Sequence, residues 1–324
     1  MNVARVMRSP MVRALLLSLT FGFIGWVLYR QWGEVERAAR TLHIRWGWIL
    51  AASALVLGTY AMLVQSWRLL LSGWGGSLPY GRAVQIWTVS NLGRYVPGKV
   101  WSIGAMGLLA SREGVSGVAA IGASILGTLL NIGAGFGVAV VFGGRFLDAV
   151  SPGLQSVSLV AALAFIVGVI LLPFVLPTIL DRYALKRGLP VAEQHLRNRD
   201  VWLAALLNTC SWVGYGLAFA CFARGVLPLV PNATLYIAIY AASYLVGFLA
   251  LFAPGGIGFR ELALSALLVA GGAAGQGDAA ILGATSRVWL TSLEVLPGLV
   301  GLLLMTPAQR AGLGGKRDRP RGAP

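Results

Sequence analysis

The sequence predicts an all-α, polytopic membrane protein, and three observations support that fold class. Hydrophobic residues make up 57% of the 324-residue chain and charged residues only 11%, whereas soluble chains carry about 25% charged residues. Six apolar stretches reach the ~20 residues that a helix needs to cross a bilayer. Two further apolar regions are long but are interrupted by proline and glycine. We therefore expect about six to eight transmembrane helices and two broken, re-entrant segments.

The predicted spans differ in length but are all predominantly apolar. They lie at 11–29, 48–71, 117–142, 154–179, 201–222 and 279–305. The first span follows a basic N-terminus and ends without a small-residue cleavage site, so we interpret it as a retained anchor rather than a signal peptide. The broken regions are 83–110 and 236–272, where proline and glycine argue against straight helices.

The net charge of +15 indicates how the chain is oriented, because short loops rich in Lys and Arg stay in the cytoplasm. The segment 181–200 and the C-terminal tail are both basic, so both termini are predicted to be cytoplasmic. When the crossings are counted from the cytoplasmic N-terminus, 83–110 enters and leaves the membrane from the cytoplasmic side. The region 236–272 enters and leaves from the outer side. The basic outer loop 30–47 is predicted to contain an interfacial amphipathic helix. Nucleic acid is a poor explanation for the excess charge of so apolar a chain.

The two halves of the chain show the same order of predicted parts: a span, a broken segment and a second span. These halves cover 48–142 and 201–305 and run in opposite membrane directions. An inverted repeat with interrupted segments at matching positions indicates a transport site at the interface between the repeats. We treat 1–308 as a single integral membrane domain and 309–324 as a basic, disordered cytoplasmic tail.

The first break, Gly93-Arg94-Tyr95-Val96-Pro97-Gly98-Lys99, places two cations and a turn inside an apolar run. Charges at membrane depth are costly unless they are used or reach water. The helix that restarts near Lys99 presents free backbone N–H groups, which together with Arg94 and Lys99 form a candidate pocket for a phosphate headgroup. The alternative is that both side chains merely extend to the cytoplasmic interface.

The second break reads Pro254-Gly255-Gly256-Ile257-Gly258-Phe259-Arg260-Glu261, and its glycines permit a tight turn and a close approach. Glu261 falls in the first turn of the next helix, where the helix dipole alone favours an acid. Arg260 is a candidate partner for a phosphate or for a carboxylate on a neighbouring helix, and Glu294 is the candidate carboxylate. Arg287 and Glu294 are seven residues apart and share a helical face, which either forms a structural salt bridge or lines a cavity.

Other polar and aromatic residues give weaker signals. Asn131 and Asn208 are predicted to join helices by hydrogen bonds. Tryptophans near the predicted span ends are interpreted as interfacial anchors; these are Trp46, Trp48, Trp74, Trp87, Trp101 and Trp202. Two cysteines and two histidines supply neither a disulfide framework nor a Cys/His metal cluster. The sequence contains no ATP-binding motif, and we predict no metal site and no cofactor.

The two breaks, each followed by an apolar helix, resemble the flippase-type membrane half of the lysylphosphatidylglycerol synthase family, which also occurs as stand-alone bacterial and archaeal proteins. The likeness covers roughly residues 10–305. It implies a polytopic helical fold with re-entrant elements, a place in the cell (inner) membrane and a role in moving a lipid between leaflets. It also implies a central cavity marked by motif residues, here Arg94, Pro97, Gly98, Pro254, Gly255, Gly256, Gly258 and Glu261.

The chain also departs from the full synthases, which append a soluble aminoacyl-transferase domain. After its last predicted span this sequence has only a short basic tail rich in glycine and proline. We therefore expect a stand-alone member that does not aminoacylate lipid by itself.

The leading hypothesis is a flippase-like lipid transporter that translocates an anionic phospholipid or lipid-linked amphiphile through a cationic cavity. The half-helix N-termini at the breaks would complete the anion site. The candidate substrate-binding residues are Arg94, Lys99, Arg260, Glu261, Arg287 and Glu294; no catalytic residue is predicted. Membrane lipids are the expected partners.

Two alternatives from other classes stay open. One is an intramembrane lipid-modifying enzyme, which would gain support if Glu261 and Glu294 faced a shared cavity. The other is a membrane scaffold for a separately encoded glycosyl- or acyltransferase.

Overall fold

The computed structural model describes residues 44–95, 100–144, 146, 153–186, 196–228, 230, 232–250 and 254–305. All regular secondary structure in these ranges is helical, which confirms the predicted all-α fold. The first predicted span (11–29), nearly all of the outer loop (30–47) and the tail (309–324) lie outside the described residues.

Nine α-helices and two short 3-10 turns (η) are formed within these ranges. In chain order they are α1 (Trp46–Gly73), α2 (Tyr80–Asn91), η1 (Leu92–Tyr95), α3 (Val100–Arg112), α4 (Gly117–Gly143), α5 (Leu154–Lys186), α6 (Asn198–Val226), α7 (Ala233–Leu249), η2 (Pro254–Gly256), α8 (Phe259–Ala270) and α9 (Gln276–Leu303).

Four helices, α1, α4, α6 and α9, are long and apolar enough to cross a membrane. They agree with four of the predicted spans to within a few residues at each end. Helix α5 covers a fifth predicted span, although its apolar part is the shorter stretch Gln155–Leu171. Large apolar side chains are exposed on the outer surfaces of these helices, for example Val118 at 81% and Leu303 at 70%. Surfaces of this kind are stable against lipid rather than water.

Each broken region consists of two short helices joined by an irregular segment. The region 83–110 contains α2, η1 and α3, and the region 236–272 contains α7, η2 and α8. In the second break Gly255, Gly256 and Gly258 have φ angles of 60°, 70° and 88°, which glycine adopts without the strain that a Cβ would cause. The tight turn therefore depends on these three residues. That the two regions are re-entrant in the membrane stays a prediction.

The two halves have corresponding elements and corresponding contacts. Helices α1 to α4 and helices α6 to α9 each run long, short, short, long, with a break between the two short helices. Helix α1 packs extensively on α6, and α2 packs on α9 as α7 packs on α4. Reciprocal contacts of this kind are those expected of two repeats related by an approximate two-fold axis. The opposite membrane directions of the halves stay a prediction.

The buried apolar residues form two clusters. One is centred on α6, α7 and α9 and contains Phe219, Tyr236 and Leu282. The other is centred on α1 to α4 and contains Leu70 and Leu126. Helix α1 belongs to both, because its first half packs in one cluster and its second half in the other. The long helices α1 and α6 thus join the two halves along the middle of the molecule.

Close contact between α6 and α7 requires a glycine. A Cβ added at Gly216 would lie 2.5 Å from the Cα of Ile237, a distance at which one helix must move. We therefore expect Gly216→Ala to lower stability by about 1–3 kcal/mol, the usual range for overpacking a core. The melting temperature of the detergent-purified protein measures this effect.

Gly58 provides the matched control for that substitution. It also lies within a long helix, but a Cβ there would meet nothing within 4 Å. Because alanine favours the helix, Gly58→Ala should melt at or slightly above the wild-type temperature. Equal melting temperatures for Gly216→Ala and Gly58→Ala would show that α6 and α7 are not in close contact.

Candidate functional site

A cavity of about 340 Å³ lies between the two halves, within the roughly 300–1,000 Å³ range of ligand pockets. Its walls come from α1, α2, α3, α4, α6, α7 and α9 and from both breaks. Charged and neutral polar residues both line it. The charged residues are among those that the sequence singled out.

Glu294 of α9 is held by the first break. Its Oε1 accepts a hydrogen bond from Arg94 Nη1 at 2.8 Å, and its Oε2 accepts one from the Tyr95 hydroxyl at 2.6 Å. Arg94 also donates from Nη2 to Asn91 Oδ1 at 3.2 Å. Both carboxylate oxygens are therefore engaged, and this charge-assisted contact joins the first half of the chain to the second.

Arg287, two turns earlier on α9, is held by the second break. Its Nη2 donates to the carbonyl oxygen of Gly255 at 3.1 Å, and its Nε lies 3.6 Å from Glu261 Oε1. The other oxygen of Glu261, Oε2, accepts from the backbone N–H of Gly258 at 2.6 Å. Helix α9 therefore contacts both breaks through one charged face.

This arrangement corrects one predicted pairing. The sequence indicated Glu294 as a carboxylate partner for Arg260, but Glu294 is bonded to Arg94 instead, because the first break reaches across from the other half of the chain. The prediction of a shared face on α9 left a salt bridge and a cavity wall as alternatives. Arg287 and Glu294 both line the cavity, and each pairs with a residue of a break rather than with the partner that the sequence suggested.

The N-terminus of α8 also differs from the expected anion site. The sequence hypothesis used free backbone N–H groups at both breaks, whereas Glu261 caps the Gly258 N–H from within the same turn. A ligand cannot use that donor while the cap is in place. Positive charge at the second break is thus provided by the side chains of Arg260 and Arg287 rather than by this N–H group.

Among the described cations that line the cavity, Arg260 is the one without an acidic partner within 4 Å. It is only 5% exposed, and its guanidinium lies 5.0 Å from the ring centroids of both Tyr240 and Tyr244. Within the described part of the chain no carboxylate oxygen lies within 4 Å of it. Cation–π contacts stabilise such a group, but they bring no negative charge into contact with it, and the carboxylates of Glu261 and Glu294 act on it only from beyond 4 Å. A buried cation without a carboxylate in contact is a candidate site for an anion.

The described residues around the cavity leave one positive charge in excess. Among them, three arginines and one glutamate line the cavity, namely Arg94, Arg260, Arg287 and Glu294. Glu261 is not among the lining residues, but its contact with Arg287 compensates a second arginine. The remaining positive charge is that of Arg260.

Close packing of the second break fixes the position of Arg260. A Cβ on Gly247 would lie 2.7 Å from the Cβ of Arg260, and one on Gly256 would lie 2.7 Å from the carbonyl oxygen of Gly247. Two glycines at the end of α7 and in η2 thus allow α8 to begin directly against α7. In the first break, a Cβ on Gly93 would lie 2.8 Å from the backbone nitrogen of Ser102, so glycine is needed there as well.

One of three buried donors without a partner among the described residues lies in the lining of the site. The Nδ2 of Asn91, the hydroxyl of Tyr60 and the hydroxyl of Ser90 are buried and have no hydrogen-bond partner within the described residues. Asn91 lines the cavity, and its Oδ1 is used by Arg94. Its Nδ2 is consequently a donor available to a ligand.

Other sequence predictions have mixed outcomes. Lys99, Pro97 and Gly98 lie outside the described residues. Asn131 and Asn208 do join helices, through a hydrogen bond of 3.0 Å between Asn131 Nδ2 and Asn208 Oδ1.

Trp87 was interpreted as an interfacial anchor, but it lines the cavity and contacts Tyr60. That prediction was wrong because position along the chain does not show which face of α2 a residue occupies.

The sequence analysis missed the aromatic residues of the site. Tyr240 and Tyr244 each have their ring 5.0 Å from the guanidinium of Arg260, Tyr95 bonds Glu294, and Trp212 lies edge-on to Tyr244 at 5.2 Å. Their one sequence signal was the four-residue spacing of Tyr236, Tyr240 and Tyr244, which places them on one helical face. In an apolar helix that spacing is equally typical of core packing.

Comparison with known proteins supports the architecture. The model of the family described as the lysylphosphatidylglycerol synthase TM region matches residues 11–293, which include the first half, both breaks and the second half up to the middle of α9. A search of curated proteins found no significant match. The match and the apolar helices together show a multi-pass membrane protein related to lipid handling. With its helical halves, its two glycine-rich breaks and a family match over most of its length, this chain belongs to the lysylphosphatidylglycerol synthase transmembrane-region family.

Proposed function

We propose that this protein moves an anionic amphiphile between the leaflets of a bacterial or archaeal inner membrane. The negatively charged headgroup enters the central cavity while the acyl chains remain in the bilayer. The observation that carries the proposal is the positive charge of Arg260, which is buried against the cavity and has no carboxylate within 4 Å among the described residues.

The position of the cavity supports a transport role. It is lined by both halves of the chain, and the two breaks touch each other through η1 and η2. In transporters built from inverted repeats, substrate sites lie between the repeats, where interrupted helices meet near the middle of the bilayer. In this proposal the halves are inverted, both termini are cytoplasmic and the breaks are re-entrant.

Helix α9 is suited to act as the moving part. Its Glu294 is bonded to the first break and its Arg287 to the second, so a displacement of α9 must break or exchange charged contacts on both sides. A phosphate that competes for Arg94 or Arg287 would weaken these contacts and favour the displaced state. Lys99, outside the described residues, is proposed to attract the headgroup from the cytoplasmic side.

The first test removes the excess charge. Arg260→Gln keeps a polar side chain but neutralises the site, and we expect the exchange of fluorescent phosphatidylglycerol across reconstituted vesicles to fall at least about tenfold. The reason is that a hydrogen bond to a charged group contributes about 1.5–3 kcal/mol. Initial rates of leaflet exchange, followed by chemical quenching of the outer leaflet, measure this.

Arg82→Gln is the matched control. Arg82 is 40% exposed and lies 3.7 Å from Glu113, and it does not line the cavity. This variant should exchange lipid at the wild-type rate. Wild-type exchange by Arg260→Gln, with both variants equally well folded, would remove the central cation from the mechanism.

A second test separates stability from transport at the ion pair between the halves. Arg94→Gln leaves a buried carboxylate without its cation and should destabilise the protein by about 3–5 kcal/mol, whereas adding Glu294→Gln should recover most of that loss. The double variant should still exchange lipid poorly, because Arg94 is absent. Melting temperatures and exchange rates are measured on all members of the cycle.

The same cycle at Arg82 and Glu113 serves as a reference. That pair is more exposed, so each substitution should change stability by about 0–1 kcal/mol. The interpretation of the Arg94 pair fails if its double variant melts as low as Arg94→Gln alone, or if the stable double variant exchanges lipid normally.

A further inference from the structure

Among the described residues that line the cavity, Glu294 is the one whose charge can change near neutral pH. The other ionisable groups of this lining are Arg94, Arg260, Arg287, Tyr215 and Tyr244. Arginine stays protonated in proteins, and a tyrosine in water loses its proton only near pH ~10. Histidine, lysine, aspartate and cysteine do not occur among the described lining residues. A proton that this lining takes up or releases near neutral pH therefore belongs to Glu294.

Ionisable groups from several elements interact electrostatically with Glu294. They are Arg94 and Tyr95 of η1, Tyr60 of α1, Tyr215 of α6, Tyr240 of α7, Arg260 of α8 and Arg287 of α9. The other nearby acid, Glu261, has its Oε1 3.6 Å from the Nε of Arg287 and does not line the cavity. The ionised form of Glu294 thus depends on arginines, above all on Arg94, whose Nη1 is 2.8 Å from its Oε1.

A headgroup that carries a phosphate competes with Glu294 for Arg94. A guanidinium prefers to hold a phosphate through two N–H groups at once, and one N–H of Arg94 is already donated to Asn91. Without Arg94, Glu294 would keep only its hydrogen bond from the Tyr95 hydroxyl, at 2.6 Å. A buried carboxylate that loses its cation is very costly, and it becomes neutral by taking up a proton. Binding of the anion and binding of the proton therefore favour each other.

Protonation of Glu294 also frees helix α9 from the first break. The neutral acid no longer forms an ion pair with Arg94, and it gains one O–H donor. Tyr60 has a buried hydroxyl without a partner among the described residues, and the charge of Glu294 acts on that hydroxyl. The Tyr60 oxygen is thus a candidate acceptor for the neutral acid when α9 is displaced.

The charges of the two ligands cancel. A singly charged headgroup brings one negative charge into the cavity, and a proton on Glu294 brings one positive charge. The net charge of the described site is therefore the same with both ligands bound as with neither. Moving both together across the bilayer transfers no net charge, so the membrane potential neither drives nor opposes the movement.

We propose that Glu294 is a proton-binding site and that the protein moves one proton together with each singly charged amphiphile. The headgroup replaces Glu294 at Arg94, and Glu294 accepts a proton from water on the side from which the headgroup enters. On the opposite side the headgroup leaves, the proton returns to water, and the pair between Arg94 and Glu294 forms again. Net movement of the lipid follows the proton toward the less acidic side. This inference rests on the proposed function and adds an energy source to it.

The test compares a pH difference with a membrane potential across vesicles that contain the full chain. The vesicles consist of phosphatidylcholine with a trace of fluorescent phosphatidylglycerol, and chemical quenching of the outer leaflet measures where the label lies. A difference of one pH unit should enrich the label on the less acidic side by up to about tenfold, the limit for one proton per lipid. A potassium diffusion potential at equal pH should not change the distribution. Protein-free vesicles provide the background.

Glu294→Gln replaces the titratable group by a neutral one of similar size. This variant should still exchange the label between leaflets but lose the enrichment that the pH difference produces. Glu294→Asp keeps a carboxyl group and should retain part of the enrichment.

Glu113→Gln is the matched control. Its carboxylate also lies near an arginine, 3.7 Å from Arg82, but it does not line the cavity, so this variant should enrich the label as the wild type does. If Glu294→Gln proves unstable, the two gradients applied to the wild type decide the proposal by themselves.

The outcomes distinguish the proton site from the transport function. Enrichment by the potential instead of the pH difference would mean that the anion crosses alone, and it would overturn the proton site. Normal exchange that neither gradient biases, or wild-type enrichment by a folded Glu294→Gln protein, would also overturn it and leave the transport function in place. Absence of any exchange by the wild type would overturn the transport function and the proton coupling with it.

Discussion

The structure depends on two ion pairs that fasten the irregular backbone of both breaks to helix α9. Burying a single charge in an apolar interior is very costly, and a pair tolerates burial only when its hydrogen bonds are satisfied. Glu294 meets that condition through Arg94 and Tyr95, and Arg287 meets it through Gly255 and Glu261. Any rearrangement of the breaks must therefore supply new partners for four charges that are buried or half-buried.

Glycine makes this arrangement sterically feasible. The second break turns through three residues of positive φ, and the start of α8 lies against α7 because neither Gly247 nor Gly256 has a side chain. The same closeness places the guanidinium of Arg260 over two tyrosine rings instead of beside an acid. The excess positive charge is thus a consequence of how tightly the backbone packs, as well as of composition.

Two kinds of polar residue line the cavity. Charged side chains come from α9, from α8 and from the first break, whereas α1, α4 and α6 provide amides and hydroxyls. The aromatic rings of Trp212 and Tyr244 also line it.

The sequence by itself determined the features that depend on local interactions. Apolar runs near 20 residues predict spanning helices because the requirement is local, and α1, α4, α6 and α9 agree closely with it. Proline and glycine likewise predicted both breaks, since their effect on the backbone acts at the residue itself.

Only the tertiary structure decided which charged side chains pair with each other. The sequence placed Arg94, Arg260, Arg287 and Glu294 in apolar surroundings, but it could not show that Glu294 would bond Arg94, 200 residues away, and leave Arg260 to the tyrosines. The sequence also did not show that Trp87 faces the cavity, or that Asn131 and Thr128 both line it. Contacts between helices depend on their rotation and crossing, which the order of residues along one helix does not specify.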